Sequence, residues 1–321
     1  MNEPTTSGTG APTPEPTAPP LTVTDLLTLV EAAAPPALAE PWDSVGLICG
    51  DPADPVRSVL LAVDPVQAVA DEAVSLGVDL VITHHPLYLH GTRHVAATNP
   101  KGRVVHTLIR HGIALLNAHT NLDAAHGGVA DALAATVGLV GTRPLEPQEQ
   151  SPGQGIGRVG SLPGPTTLRE LAAHVADALP DTVPGLLVAG DLDAVVSTMA
   201  VSGGAGDSLL ESAREAGVDV FLTADLRHHP ASEHTEAGRP FLLCGTHWAT
   251  EWVGLAPLAT RLATEAARRG RRLDLRVSTL VTDPWSLHLA TGPLSGTTQA
   301  PTTDRSTVID STLIDDKGPQ P

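Results

Sequence analysis

An internal repeat is the feature of this 321-residue sequence that most constrains its fold. In the first copy, the apolar run over residues 58–63 predicts a buried strand, an amphipathic stretch ends at Gly77, and residues 78–83 predict a second strand. In the second copy, the same order leads from a strand over residues 195–201 to another over residues 218–223. Both copies share Gly-Val-Asp at the start of the second strand, Thr at its end, and His-His-Pro within the next few residues.

The repeated unit predicts the fold class. Strand–helix–strand units build parallel sheets with right-handed crossovers, and ligands collect beyond the C-terminal ends of the strands. We therefore expect an α/β protein with two related α/β lobes facing a central cleft: an N-terminal lobe over residues 21–140, a Pro- and Gly-rich connection over residues 141–165, and a C-terminal lobe over residues 166–291. Residues 1–20 and 292–321 are predicted to be disordered tails, because they hold too few large apolar groups to offset the entropy lost on ordering.

Helices are predicted inside and outside the repeat. Asp64 and Pro65 have the residue types of an N-cap and a first helical residue, so the helix of the first copy is expected to begin there. The other helix-like stretches cover residues 23–33, 101–112, 129–137, 167–179 and 251–268.

Charge and composition exclude some classes of partner. The chain carries 36 acidic and 19 basic residues, a formal charge of -17, and such a chain repels nucleic-acid phosphates unless its cations are clustered. The densest basic run predicts a solvated helix end and consists of Arg268, Arg269, Arg271 and Arg272. We therefore do not expect nucleic-acid binding.

The cysteines and the apolar stretches bear on location. Cys49 and Cys244 are too few for a disulfide framework, which fits a reducing compartment. The N-terminal residues lack the apolar core of a secretory signal, and no apolar run is long enough to span a bilayer. A cytoplasmic protein that does not enter a membrane is expected.

The strongest candidate site combines two strand ends of the first half. His84 and His85 follow the predicted strand over residues 78–83 directly, and His119 follows another short apolar run. Asp123 comes four residues after His119, so a helical turn would place both side chains on one face. Each histidine alone would more commonly be a surface residue or a hydrogen-bonded core residue. Together, imidazole and carboxylate groups at neighbouring strand ends favour a metal site.

The second half adds another pair of candidate ligands. His247 and Glu251 lie one helical turn apart after a strand-like apolar run. Thr246 can also be read as the N-cap of that helix, and the two interpretations are compatible. Trp248 and Trp252 have the same spacing on another face and are expected to serve in packing.

These residues fall in an ordered set of motifs. The set resembles the signature blocks of the GTP cyclohydrolase 1 type 2 homologue family, also called Nif-three-like or dinuclear metal centre proteins, over roughly residues 21–290. The blocks are Pro41-Trp-Asp43-Ser-Val-Gly46-Leu, Thr83-His-His-Pro86, Asn117-Ala-His119-Thr-Asn-Leu-Asp123 and Gly245-Thr-His247-Trp-Ala-Thr-Glu251.

The resemblance implies a Nif-three-like fold, a ring-shaped homohexamer and two divalent metal ions. Zinc, manganese, iron and nickel all suit such ligands. The resemblance implies that Asp123 and Glu251 touch or bridge both ions. The sequence departs from the family pattern at Ser44 and Ala224, which removes no implied ligand. The implied ligands are His84, His85, His119, Asp123, His247 and Glu251.

Other residues are open to two interpretations each. Asp43 can orient a ligand histidine or satisfy its own turn. His228 and His229, together with Asp225, lie at the second copy's counterpart of the site, where they can act as acid–base groups or serve in packing. The Gly-rich stretch over residues 202–206 can cradle a phosphate, although a plain turn is commoner.

Two functions are open at this point. The first is a metal-dependent hydrolase in which two ions polarise an electrophile and activate water, with His228 or His229 carrying protons. Its substrate is unassigned, and a small nucleotide or a phosphoester fits the chemistry. The alternative is a non-catalytic metal-binding interaction or metal-handling protein, in which the ions are structural or cargo. Ligands without thiolate favour catalysis mildly.

Overall fold

The computed structural model of the chain describes residues 19–149 and 151–289. Contacts divide the chain after Ser286, and all named elements lie before that point. The strands are β1 (Leu21–Thr22), β2 (Gly46–Cys49), β3 (Pro55–Val56), β4 (Ser58–Ala62), β5 (Leu80–Thr83), β6 (Ala114–Asn117), β7 (Val140–Gln148), β8 (Ser151–Thr167), β9 (Leu187–Ala189), β10 (Val195–Ala205), β11 (Val220–Ala224), β12 (Phe241–Gly245) and β13 (Asp274–Val277). The helices are α1 (Val23–Ala33), α2 (Gln67–Leu76), α3 (Pro100–Arg110), α4 (Thr120–Ala124), α5 (Val129–Thr136), α6 (Leu168–Ala178), α7 (Leu210–Glu215), α8 (His228–Glu236), α9 (His247–Trp252) and α10 (Leu255–Arg268).

A five-stranded sheet with the order β13-β4-β5-β6-β2 forms the first half of the fold. Strands β13, β4, β5 and β6 are parallel neighbours, and β2 runs antiparallel to β6. In β4, Val59 and Leu61 pack in one core with α1 and α10, whereas Leu60 and Ala62 pack in another with α2 and α3. From Val59 onward the strand is apolar and buried, as expected where helices cover both faces of a sheet.

A six-stranded sheet with the order β7-β8-β10-β11-β12-β9 forms the second half. Its centre, β10-β11-β12, is parallel, and antiparallel strands flank it. Val220 and Leu222 pack with α6 on one face, and Phe221 packs with α7 on the other. The two helix-covered sheets confirm the predicted α/β class.

The repeat is structural as well as sequential. Gly77 and Gly217 end the helices of the two copies with φ values of 63° and 67°, in the left-handed region that glycine adopts without strain. Two residues later, Asp79 accepts hydrogen bonds from the backbone N–H groups of Arg57 and Ser58, and Asp219 does the same for Ser197 and Thr198. The shared Gly-Val-Asp thus ties the start of one strand to the start of its neighbour in each sheet.

The predicted connection over residues 141–165 is instead a pair of strands. Strands β7 and β8 form an antiparallel hairpin, and β8 also pairs with β10. Proline signals hid this pairing, but an edge strand such as β7 tolerates proline because one side of it makes no ladder bonds. Close packing explains why one of the glycines in this stretch is needed. A Cβ added at Gly155 would lie 2.0 Å from the Glu146 carbonyl oxygen.

The C-terminal part of the chain returns to the first sheet. Strand β13 pairs in parallel with β4, so the residues predicted as one C-terminal lobe contribute to both sheets. The predicted helix over residues 251–268 is divided at Val253 and Gly254 into α9 and α10. The helix α2 begins after the N-cap Val66 rather than after Asp64, whose carboxylate is engaged elsewhere.

Other expectations have mixed outcomes. Helix α1 has the predicted bounds, and α3, α5 and α6 lie within one or two residues of theirs. The predicted tails lie outside the described residues, apart from Pro19 and Pro20. Among the described helices, none combines the length and the apolar composition that crossing a bilayer requires.

Candidate metal centre

The end of β5 places the first two candidate ligands. His84 and His85 follow Thr83 directly, and their backbone N–H groups bond to the carbonyl oxygens of Ala62 and Val63 at 3.0 and 2.9 Å. The backbone therefore continues beside the end of β4 for two residues beyond β5. These two hydrogen bonds fix the backbone positions from which both imidazole side chains extend. His84 is 1% exposed.

Two equivalent segments place the other four ligands. His119 follows β6 and precedes α4, which carries Asp123. His247 opens α9, which carries Glu251, directly after β12 and the N-cap Thr246. Thr246 accepts a hydrogen bond from the Ala249 N–H, so the capping interpretation is confirmed. In both segments a histidine and an acid four residues later leave the end of a parallel strand.

The six side chains converge. Glu251 Oε1 lies 3.4 Å from His84 Nε2 and 2.9 Å from His247 Nε2, and Glu251 Oε2 lies 3.0 Å from His85 Nε2. The ring centroid of His119 lies 5.2 Å from that of His84. Two groups of three residues can each hold an ion, because the ligand atoms within each group lie within 4.8 Å of one another. The first group is His84, His85 and His119, and the second is His85, His247 and Glu251.

Asp123 lies beside these groups. Its Oδ1 is 3.6 Å from His84 Nε2, and it belongs to neither group. His85 is the residue common to both groups, and Glu251 reaches ligands of both halves.

The four candidate histidines present the same ring nitrogen to the centre of the cluster. An oxygen atom accepts a hydrogen bond from every Nδ1, so Nε2 is the ring atom that faces the centre and that a metal ion would reach, and such partners fix the tautomer and the ring orientation of metal ligands. The pairs are His84 with the Ala118 carbonyl oxygen (3.0 Å), His85 with Asp64 Oδ1 (2.7 Å), His119 with Asp43 Oδ1 (2.8 Å) and His247 with Asp225 Oδ2 (2.6 Å).

Buried polar atoms without partners test whether a metal fits. Within the described part of the chain, His84 Nε2 and Asp123 Oδ1 are buried and neither accept nor donate a hydrogen bond. Buried polar atoms are normally paired, because leaving one unpaired costs about 1–3 kcal/mol. These two atoms lie 3.6 Å apart, too far for a hydrogen bond between them, and imidazole and carboxylate are ligands for divalent ions. The residues present therefore fit the metal centre that their spacing predicts.

The charges within the cluster are strongly coupled. Burial disfavours a protonated His85, but the Glu251 carboxylate and the Asp64 hydrogen bond outweigh it and raise the pKa of His85 to about 10. Burial likewise opposes the carboxylate of Glu251, yet His84 and His85 hold its pKa well below the ordinary value. The pKa of Asp123 rises to about 6, mainly through burial. Protons therefore compete with cations for this site.

A cleft of about 440 Å³ opens beside the cluster. The Gly-rich end of β10 forms one wall, and glycine is required there: a Cβ at Gly204, whose φ is +66°, would lie 2.4 Å from Glu251 Oε1 and 3.1 Å from His247 Nε2. The same stretch is less suited to phosphate, because the Gly204 N–H already donates to Thr250 Oγ1 and the Gly206 N–H to the Ala224 carbonyl oxygen.

The predicted catalytic histidines lie apart from this cluster. His228 and His229 open α8, are exposed and do not line the cleft. Their rings contact each other, with centroids 5.3 Å apart. No hydrogen bond or ion pair among the described residues joins them to the six ligands, so the geometry does not support the predicted role.

Several second-rank candidates have defined roles. Asp43 orients His119 and also accepts a bond from the Ser44 N–H, so both interpretations of it hold. Asp225 orients His247. Trp248 is 4% exposed and packs in the core, as expected. Sequence reasoning missed Asp64, although an acid directly after a buried parallel strand was a usable signal.

Comparison with known proteins follows the same ordered motifs. The family model for Duf34/NIF3 (NGG1p interacting factor 3) matches residues 21–284. A GTP cyclohydrolase 1 type 2 homolog of Streptomyces coelicolor is 52% identical over 281 residues, which cover 87% of this chain and 99% of that protein. A protein of the same name from Mycobacterium tuberculosis is 36% identical, and the alignment covers 84% of this chain and 97% of that protein.

Solved structures show the same fold. A Bacillus cereus protein related to NIF3 superposes with a TM-score of 0.78 at 25% identity, covering 84% of this chain and 99% of that one. A Staphylococcus aureus hypothetical protein also gives a TM-score of 0.78, at 29% identity, covering 84% of this chain and all of that one.

Proposed function

The chain belongs to the Duf34/NIF3 family, and from this premise we propose that it is a dinuclear metal-binding protein that acts as a metal-dependent hydrolase. One observation carries the proposal: two overlapping groups of His and Glu side chains border an open cleft, and the buried atoms His84 Nε2 and Asp123 Oδ1 beside them make no hydrogen bond within the protein. The proposed ligands are the six residues His84, His85, His119, Asp123, His247 and Glu251.

Hydrogen bonds within the protein hold the proposed ligands in place without a metal ion. Hydrogen bonds to Nδ1 hold the imidazoles with Nε2 facing inward, so little ordering is required when a ligand bond forms. Glu251 extends one oxygen toward His84 and His247 and the other toward His85, and we propose that it would help to hold both ions. Asp123 is the second carboxylate that we propose would do so.

When bound, divalent ions would supply Lewis-acid polarisation of a substrate carbonyl or phosphoryl oxygen. The cleft gives such a substrate access to His119, Asp123, His247 and Glu251, which line it. Because the ligands include no thiolate and the cluster is open on its cleft side, the donor set favours a catalytic site over a closed structural one.

The test combines metal analysis with a substrate screen. Protein loaded with zinc, manganese, iron or nickel is assayed against GTP, phosphoesters, amides and cyclic amidines, beside His85→Ala and Asp123→Ala. His229→Ala is the matched control, since it removes an imidazole outside the cleft. Turnover by the wild type and by His229→Ala, with loss in the other two, supports the hydrolase. Two bound ions with no turnover on the whole panel would contradict it and favour a metal-handling protein.

We also propose a homohexamer and a cytoplasmic location. The exposed apolar side chains of Leu187 (67%) and Val195 (62%) in the second sheet support an interface between subunits. The two cysteines are free thiols, which fits a reducing compartment. Light scattering after size-exclusion chromatography measures the assembly: a mass of six chains is expected for the wild type, and Leu187→Asp should lower it.

A further inference from the structure

The cleft beside the proposed metal ligands has an aromatic wall. Trp42 lines it and is 54% exposed, so a large aromatic surface faces the cleft. Its indole meets the His119 ring edge to face, with centroids 6.0 Å apart and an interplanar angle of 77°. That contact fixes the indole beside a proposed ligand and leaves much of its surface open to the cleft. Leu89 and Ile156 add further apolar lining.

Within the described ranges of the chain, the protein side chains that most often bind phosphate do not line this cleft. Among the described residues that line it, none is lysine or arginine, the side chains that recognise phosphate groups. The glycine-rich wall is also occupied, because the N–H groups of Gly204 and Gly206 bond within the protein. A backbone cradle for phosphate is therefore incomplete.

Charge points the same way. Four carboxylates line the cleft, so they would offset the four positive charges of two divalent ions. They belong to Glu40, Asp123, Glu146 and Glu251. The three carboxylates that hold the histidines from behind add further negative charge. No surplus of positive charge remains for a polyphosphate, even when both ions are present.

We propose that this cleft binds a planar nitrogen heterocycle without phosphate groups, uncharged or cationic, stacked on Trp42 next to the metal ligands. The inference rests on the proposed function, since it names the substrate class of the same site. A volume of about 440 Å³ accommodates a nucleobase or a nucleoside, and aromatic stacking recognises any flat ring. Guanosine is therefore a better ligand than GTP.

The first experiment varies ligand charge at constant base. Guanosine, GMP and GTP are titrated calorimetrically into the metal-loaded full chain at a buffered free-metal concentration, which prevents GTP from stripping the ions. Affinity is expected to fall in that order, with GTP at least about tenfold weaker than guanosine. Ribose should not bind. Tighter binding of GTP than of guanosine, or equal binding of ribose and guanosine, overturns the proposal.

The second experiment varies the stacking surface. Trp42→Ala should weaken guanosine binding about tenfold, the loss typical of one base–aromatic stack, while Trp42→Phe keeps most of the affinity. Trp285→Ala is the matched control, because Trp285 is 64% exposed and does not line the cleft. Trp42 is also exposed, so its variants should keep the wild-type melting temperature. Unchanged guanosine binding by a folded Trp42→Ala overturns the proposal.

These binding readouts separate the inference from the proposed hydrolase. Guanosine binding that depends on Trp42, without turnover of any substrate, would contradict the hydrolase and leave the inference intact. Turnover of a phosphoester, with no heterocycle bound, would do the opposite.

Discussion

The ends of β5 and β11 occupy the same place in the two copies of the repeat, but they carry different chemistry. Thr83 is followed by His84 and His85, both proposed ligands, whereas Thr223 is followed by Ala224 and Asp225. By position in the repeat, Asp225 is the counterpart of His85, and it accepts a hydrogen bond from His247. One strand end supplies proposed ligands, and the other supplies an orienting group.

The next strand of each copy is more alike. After β6, His119 and Asp123 are four residues apart, and after β12, His247 and Glu251 have the same spacing. The two-sheet frame thus offers each copy a histidine and an acid, and the first copy alone adds the His84–His85 pair. The His-His-Pro motifs that both copies share in sequence are not equivalent in space. His84 follows the end of β5 directly, whereas His228 and His229 open the helix α8 several residues after the end of β11.

Removal of one histidine from each pair should give the largest difference. His85→Ala takes a ligand from both metal-competent groups, so we expect loss of at least one ion and a fall in metal affinity of more than about a hundredfold. His229→Ala should keep the wild-type metal content. Elemental analysis after dialysis measures both. Equal metal loss in the two variants would show that the pairs are equivalent after all.

The orienting carboxylates should give the next largest effect. Asp64→Ala and Asp225→Ala each release one imidazole, and removal of such partners costs about 10–100-fold in metal affinity. Asp193→Ala, at an exposed carboxylate, is the control. Competition with a chromogenic chelator gives the affinities. If Asp225→Ala resembles the control, the end of β11 contributes nothing to the site.

Protons should compete with metal ions at one histidine in each copy of the repeat. The pKa values of His85 and His247 are raised to about 10 and about 9, since Glu251 outweighs the effect of burial on both. At pH 8 both imidazole rings of the metal-stripped protein are therefore in their positively charged form. Metal binding should release about two protons, and the metal affinity should rise about tenfold per released proton for each pH unit from 7 to 9. Calorimetry in buffers of different ionisation enthalpy counts the protons.

The same shifts fix a stability trend for the metal-stripped protein. A histidine whose folded pKa is raised contributes stability below its ordinary value of 6.5 and loses that contribution as the pH rises through the folded value. Denaturation midpoints of stripped protein should fall between pH 6.5 and 10. His247→Ala should release one proton fewer on metal binding, and an unchanged count would refute the assignment.

The smallest effect concerns the part of the repeat that is truly alike. Asp79→Asn and Asp219→Asn each weaken hydrogen bonds that join neighbouring strands, so each should lower the free energy of unfolding by about 1 kcal/mol in urea denaturation. Burial opposes the charge on Asp219, but these bonds lower its pKa below 3.8. Its contribution is therefore present above pH 3.8 and lost as the pH falls through the folded value. Arg239 also donates a hydrogen bond to Asp219, so the loss there should be the larger, and an Asp79→Asn variant as stable as the wild type would break the structural equivalence of the copies.

Local patterns predicted the elements that local forces determine. The strands β4 and β5 and the stop at Gly77 follow from apolar runs and a left-handed glycine, and the six candidate ligands follow from strand ends and motif spacing. Asp64 was misjudged as an N-cap because its partner, His85, lies 21 residues away, and only the folded chain brings them together. The pairing of β7 with β8 was missed because its prolines and glycines are turn signals when read without the neighbouring strand.

The return of β13 to β4 has a consequence for how the protein emerges from the ribosome. The first sheet lacks an edge strand until residues 274–277 have been synthesised, and the cluster lacks two ligands until Glu251 has been made. Both closures link residues about 160 to 220 positions apart in sequence, which makes them slow steps of high contact order. A nascent first half therefore has an open sheet edge and four of the six proposed ligands, so a metal ion would join the two halves of the fold only after His247 and Glu251 have been made.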